Sequence, residues 1–340
     1  MQRLLFIVLV ASELFGARIL FDLTKDEDAG NADWVIDDNW PLPQPSWPAS
    51  PTDWNGAISS WGYQLKMQYG DTVHTLYSYP ITYGDTTNPY DLSNYDVFVV
   101  PEPQDTFTVS ERNAILNFVA NGGGLFIVAD HYASDRNGNG WDSPRIWNNF
   151  GTEQYFGFHF QVSGESYNSI SETSSSLNYA SDLYDILHGP EGDVSSLAFH
   201  AGDVMRLNTS YNSNVKVVVY YPGTSYGMCV VSRYGNGKVA AIGDSSPCDD
   251  GTARPGNSHI YNGWGEATDS ILFLNITRWL VPTSEVKEKR VRFIAEPNES
   301  IKKGQFFDIL GRRHTGGILK RGFFFFRDRD NKKKVILKLQ

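Results

Sequence analysis

NGGGLFIVADHYASDRNGNGWDSP, residues 121–144, joins a helix to a buried strand, and that strand to an acid, an imidazole and an oxygen-rich loop. Leu125 to Ala129 is apolar without alternation, as in a strand covered on both faces of a parallel sheet. The preceding SERNAILNFVANGG predicts a helix with Ser110 as N-cap, Glu111 in its first turn, and Ala114, Ile115, Phe118 and Val119 on one face. Gly122 to Gly124 therefore come before the strand. A phosphate cradle needs glycines between strand end and helix start, so these read as an αβ turn. Asp130 and His131 fall where the strand ends, the edge at which open α/β sheets bind ligands.

Asp135, Asn137 and Asn139 stand at positions 1, 3 and 5 of a loop with Gly140 at 6, followed by Asp142. This spacing turns side-chain oxygens toward one centre and makes the four residues candidate calcium ligands. Ile146 stands where an EF-hand places its bidentate Glu, so such a site is abbreviated. The same residues also suit an Asx turn bonded to its own backbone.

The chain has 340 residues, enough for one large core and a small appendage. Residues 1–17 read as a secretory signal, with Arg3, the apolar LLFIVLVA, and Gly16 and Ala17 near a cleavage point. That apolar run is too short to span a bilayer, and no other is long enough, so the expected mature chain is exported without a transmembrane segment. Of the two cysteines, Cys229 faces a position near Gly243 if Gly235 to Gly237 turn a hairpin, which leaves Cys248 out of register for a bridge. The net charge of −10 is uneven. Residues 285–340 hold 16 Lys/Arg and 7 Asp/Glu, a net of +9, leaving −19 for residues 1–284. An acidic body repels bare polyanions, so no nucleic-acid partner is expected.

RILFDL, residues 18–23, is the first predicted strand and leads into an acidic and then proline-rich loop through residue 54. Trp34, Trp40, Trp47 and Trp54 punctuate that loop, either as platforms for sugar rings or as pins to the core. A helix capped by Asp53 and running through Met67, the strands VHTLYSY and YDVFVVPEP, and the strand ending at Asp130 follow. This order predicts a doubly wound, mostly parallel α/β sheet. Residues 157–214 lack periodicity and read as an insertion, with His159, His188 and His200 as packed or surface histidines. Two strands joined at Gly235–Gly237 end at Asp244, a polar loop carries Asp249, Asp250, His259 and Trp264, and a helix over 266–280 closes the domain at Pro282.

Asp22, Glu102, Asp130 with His131, and Asp244 thus converge on one sheet edge, with Asp26, Glu27, Asp28, Asp249 and His259 on the adjoining loops. Hydrolysis needs such a set: a carboxylate to orient, a group near neutral pKa to move a proton, and oxygens for a cation. The expected catalytic residues are His131, Asp130, Glu102 and Asp244, with Trp40, Trp47 and His259 binding substrate.

GGGLFIVADHYAS resembles the class I glutamine amidotransferase-like superfamily, above all its trehalose-utilisation (ThuA-like) branch. The resemblance spans residues 18–283 and implies a flavodoxin-like sheet whose nucleophile-elbow position is held by His131 or Asp130. Amidotransferases have cysteine there, so glutamine amide hydrolysis is not expected. The tail resembles the sorting domain of type IX secretion cargo, through Asp308, Gly311, Arg312, Leu319, Lys320, Gly322, Phe323 to Phe326 and Lys333 to Lys338. Residues 284–340 are accordingly expected to form a small antiparallel β module. The resemblance implies recognition by the secretion machinery, and secretion or attachment to a bacterial cell surface.

The expected function is an exported hydrolase-like protein acting on or binding extracellular glycan or a small molecule. The alternatives are a noncatalytic, calcium-stabilised adhesion or glycan-binding module, and a metal-dependent esterase or nuclease.

Overall fold

The structure, a computed structural model, describes residues 16–257 and 260–282, together with the backbone of four strands in the tail. The chain divides into two compact units, Met1–Thr283 and Ser284–Gln340.

The first half of the larger unit comprises β1 (Arg18–Asp22), α1 (Ser59–Tyr69), β2 (Thr72–Leu76), β3 (Val97–Pro101), α2 (Val109–Ala120) and β4 (Gly124–Val128). Next come α3 (Ser143–Phe150), α4 (Thr152–Phe156), β5 (Phe158–Phe160), β6 (Ile170–Ser174), α5 (Tyr184–Leu187), β7 (His188–Gly189), β8 (Gly192–Asp193), β9 (Leu197–Gly202) and β10 (Met205–Leu207). β11 (Lys216–Tyr220), β12 (Gly227–Tyr234), β13 (Gly237–Ile242) and α6 (Asp269–Leu280) complete it. The sheet order is β2-β1-β3-β4-β13-β12-β10-β5, with β11 also on β12. The strands from β2 to β13 run parallel, and the rest are antiparallel. The expected α/β class, with a mostly parallel central sheet, is what the chain adopts.

Both faces of the sheet are buried, because successive side chains of a strand point to opposite sides. Ile19 and Phe21, Val97 and Val99, and Phe126 and Val128 enter the core under α1 and α6. Leu20, Phe98 and Val100, and Leu125 and Ile127 enter the core under α2 and α3. Trp61 anchors the first core, its ring 5.1 Å from Phe21, 5.3 Å from Phe126 and 5.0 Å from Phe273.

Some predicted boundaries move. α1 starts at Ser59 rather than directly after Asp53, because residues 56–58 are held by the acidic loop: the N–H of Gly56 donates to Ile36 O, that of Ala57 to Asp33 O and that of Ile58 to Val35 O. α2 starts at Val109 with Thr108 as N-cap, paired with Glu111 in a capping box, in place of Ser110. Gly122 and Gly123 close that helix and turn into β4, as expected. Cys229 stands opposite Ile242, and both cysteines are buried and free.

The insertion adds β5 and β10 to the far side of the sheet and pairs β6 with β9 as a separate ribbon. In the tail, β14 (Gln305–Asp308), β15 (Arg313–His314), β16 (Gly322–Arg327) and β17 (Lys333–Lys338) form an antiparallel sheet in the order β15-β14-β16-β17. Gly311, Arg312, Leu319, Lys320 and most of the signal-like segment lie outside the described residues. Among the described residues no helix is long and apolar enough to cross a membrane.

Candidate functional site

The parallel register brings four acids to one edge. Asp22 ends β1, Glu102 follows β3, and Asp130 and Asp244 lie two residues past β4 and β13. Pro101 is level with Val128, and Val128 with Ile242. The ladder continues past the strands, since Glu102 N–H donates to Val128 O at 2.9 Å and Ala129 N–H to Ile242 O at 2.8 Å. All four carboxyls are buried.

Arg136 is the counter-ion of two of them, Glu102 and Asp130. Its Nε donates to Glu102 Oε1 at 2.5 Å, its Nη2 to Asp130 Oδ2 at 2.7 Å and its Nη1 to Asn31 Oδ1 at 2.9 Å. Trp34 Nε1 adds a bond to Glu102 Oε2 at 2.6 Å, and Gln104 Nε2 one to Oε1 at 3.2 Å. The Ser134 hydroxyl lies 2.7 Å from Glu102 Oε1 and 2.8 Å from Asp130 Oδ2, with one proton to give to either. Burial raises the Glu102 pKa against the pull of Arg136. Burial also pushes the Asp130 carboxyl up, but His131 and Arg136 outweigh it and hold the pKa below the usual range.

His131 is the accessible member of the set, with its side chain 33% exposed. Its Nδ1 lies 3.2 Å from Asp130 Oδ1, close enough for an ion pair although off the line of a hydrogen bond. Contact with Asp130, opposed by burial, raises its pKa. Nδ1 is thus the ring nitrogen that faces Asp130.

Asp244 accepts N–H bonds from Ser246, at 2.9 Å, and from His200. Burial, then the charge of Asp130, pushes its carboxyl well above the ordinary value. Cys248 Sγ, bonded to Ser245 O at 3.0 Å, is raised by burial and by Asp249, Asp244 and Glu102, so it is held as the thiol. At β1, Asp22 Oδ2 and Glu27 Oε1 are buried without a hydrogen-bond partner. Burial raises both pKa values, that of Asp22 to about 6.

The backbone is strained around this edge. Asp26, Glu102, Ala133, Tyr167 and Ala201 have φ of 62°, 47°, 70°, 65° and 67°, a left-handed region that costs non-glycine residues about 1–2 kcal/mol each. Such strain collects where side chains must be aimed. At the opposite sheet edge a cavity of about 170 Å³ is lined by Tyr83, Tyr95, Phe118, Asn121 and Gly122. Its wall has no carboxylate or imidazole.

The remaining predicted residues separate. Asp135 accepts the N–H groups of Asn139 and Gly140, Asn137 that of Asn139, and Asn139 that of Trp141, so these three share one Asx-type loop. Asp142 instead caps α3, bonding Arg145 and the N–H of Ala133. Among the described residues no three His, Cys, Asp or Glu side chains are grouped to hold a metal ion. Trp34 and Trp54 are buried pins. Trp40 packs on Tyr77 at 4.4 Å and under Arg254 at 5.2 Å. Trp47 is 66% exposed beneath Lys66 of α1. His259 lies outside the described residues.

Sequence reasoning missed Arg136, which looks like a solvated charge in an Asn/Gly turn, and Ser134. It also passed over His200 and Glu266. The DxNxNG pattern was the one local signal that this loop is tightly folded.

No family model matches the sequence, and no curated protein matches it. Solved structures similar to it include the mmIFT52 N-terminal domain, at 14% identity over 78% of this chain and 98% of that one, with a TM-score of 0.48. A putative ThuA-like protein from Bacteroides uniformis is similar at 13% identity over 79% and 93%, with a TM-score of 0.41. The exo-β-1,4-mannosidase Op5Man5 from an Opitutaceae bacterium is similar at 10% identity over 80% and 37%, with a TM-score of 0.37.

Proposed function

We propose that the chain is an exported hydrolase-like protein acting on extracellular carbohydrate, with His131 as its proton-transfer group. The observation that carries this reading is one partly exposed imidazole set against a buried Asp130, whose position Arg136 and Ser134 fix. Asp130 and Glu102 favour the charged form of the ring from its buried side.

A carbohydrate is favoured by the rim. Tyr167 packs 4.9 Å from Tyr221 and 5.4 Å from Tyr226, and the adjoining Asn168 accepts the N–H of Tyr132 at 3.0 Å, beside His131. Aromatic faces with hydroxyl tips suit a sugar ring. The acidic body disfavours polyanionic glycans, so a neutral one is the better fit. Export and surface attachment belong to the same proposal and rest on residues 1–17 and the tail sequence.

The test is a screen of neutral polysaccharides and aryl glycosides with wild type and His131→Ala. Turnover that falls at least about 100-fold in the variant, with its fold intact, supports the reading; undiminished turnover overturns it. A binding module instead predicts glycan retention without turnover, weakened by Tyr167→Ala and untouched by His131→Ala.

Calcium at Asp135, Asn137 and Asn139 is a separate proposal. It is supported by their shared loop and by the lone pairs each oxygen keeps beyond the N–H it accepts. Calcium binding seen by calorimetry and lost in Asp135→Ala supports it, and heat unchanged by the substitution refutes it.

A further inference from the structure

The insertion brings a second imidazole to the edge where His131 stands. In the β6–β9 ribbon Ser171 is opposite His200, and the His200 N–H is donated to Asp244 Oδ2. Gly202 lies against Asp244 so closely that a Cβ there would meet the Asp244 Cβ at 2.5 Å, an approach that requires glycine. Ala201, between them, is held at a φ of 67°. The ring is also fixed: Nε2 lies 2.7 Å from Glu266 Oε2, and the Tyr261 ring stacks on it at 3.7 Å with 29° between planes. Its side chain is 30% exposed, close to the 33% of His131.

Asp244 and Asp130 follow strands whose register pairs Ile242 with Val128, and adjacent strands lie about 4.8 Å apart. His131 touches Asp130, and the His200 main chain is bonded to Asp244. Two histidines whose rings are held by carboxylates are therefore attached to one buried pair of acids, His131 through its ring and His200 through its main chain.

We propose that His200, set by Glu266, is a second proton-transfer group of this site, working with His131 across the Asp130–Asp244 pair. The proposal rests on the hydrolase reading and supplies its missing half. Hydrolysis needs one group to take a proton from water as the water oxygen forms its new bond. A second group must give a proton to the leaving oxygen as the old bond breaks. His200 takes the first proton and His131, whose charged form Asp130 favours, gives the second. Exchange with solvent restores both rings.

The test follows the His131 ring by NMR through a pH titration of the full chain in His200→Lys and His200→Gln. The groups facing His131 are Asp130, Glu102 and Arg136, and those facing His200 are Glu266, Asp244 and Tyr261. None of these differs between the two variants, so only the charge at position 200 changes. The His131 midpoint is expected to be lower in the lysine variant by about half a unit at low salt. Midpoints equal within about 0.1 unit, in variants whose other resonances are undisturbed, overturn the proposal. For a substrate turned over at this site, His200→Gln must also remove one limb of the pH–rate profile; a profile that keeps both limbs overturns it equally. Loss of the hydrolase reading itself is registered separately, by unimpaired turnover in His131→Ala.

Discussion

Arg136 donates to Glu102 from Nε at 2.5 Å and from Nη2 at 3.2 Å, and its Nη2 also holds Asp130 at 2.7 Å. One guanidinium thus joins the ends of β3 and β4 beneath His131. An exposed arginine pair would contribute little, but here Glu102 is fully buried, so losing its partner leaves a charge that cannot be solvated.

Arg136→Met is therefore expected to destabilise the fold by about 3–5 kcal/mol. The double variant Arg136→Met with Glu102→Gln should recover part of that loss, because the stranded charge is gone. Urea unfolding of wild type, Arg136→Met, Glu102→Gln and the double variant measures both effects, and additive losses would show that the two side chains do not act as a pair.

Stability should fall as the pH rises through the folded values of the raised, buried carboxyls. Burial raises the carboxyls of Asp22 and Asp249 to about 6 and that of Asp269 to about 8. A carboxyl raised in the folded state stabilises the fold below its unfolded pKa, and that contribution is lost as pH rises through the folded value. The melting temperature is expected to drop between pH 5 and pH 9, by on the order of 5 °C. Asp269→Asn should flatten the part of the fall above pH 7, and an unaltered curve would contradict the assignment to Asp269.

Gly56→Ala tests the docking of the acidic loop. A Cβ at Gly56 would lie 1.8 Å from Val35 O, a backbone atom that cannot swing aside. The expected cost is about 2–4 kcal/mol. The loop carries Trp34, so its displacement should also disturb the bond from Trp34 Nε1 to Glu102, visible in the indole N–H resonance. A variant that melts like wild type would contradict this packing.

The fold was legible in the sequence because apolar runs bounded by glycine and proline mark strands covered on both faces. GGGLFIVAD alone marks a helix end, a strand and the edge where the acids gather. The edge acids Asp22, Glu102, Asp130 and Asp244 followed from strand ends, which are local features. What was not legible depends on long-range contact. Arg136 reaches back 34 residues to Glu102, and Glu266 reaches 66 residues to His200. The start of α1 was misplaced because hydrogen bonds from the acidic loop override the helical spacing of Trp54, Ala57 and Ile58. Among the tryptophans, burial rather than spacing separates the pins Trp34 and Trp54 from the exposed Trp47.

The most direct measurement is kcat/KM for wild type, His131→Ala and Trp47→Ala on a neutral glycan or aryl glycoside that wild type turns over. The account predicts a loss of about 100-fold or more for His131→Ala, an unchanged melting temperature, and near-normal activity for Trp47→Ala. Normal turnover by His131→Ala would contradict it.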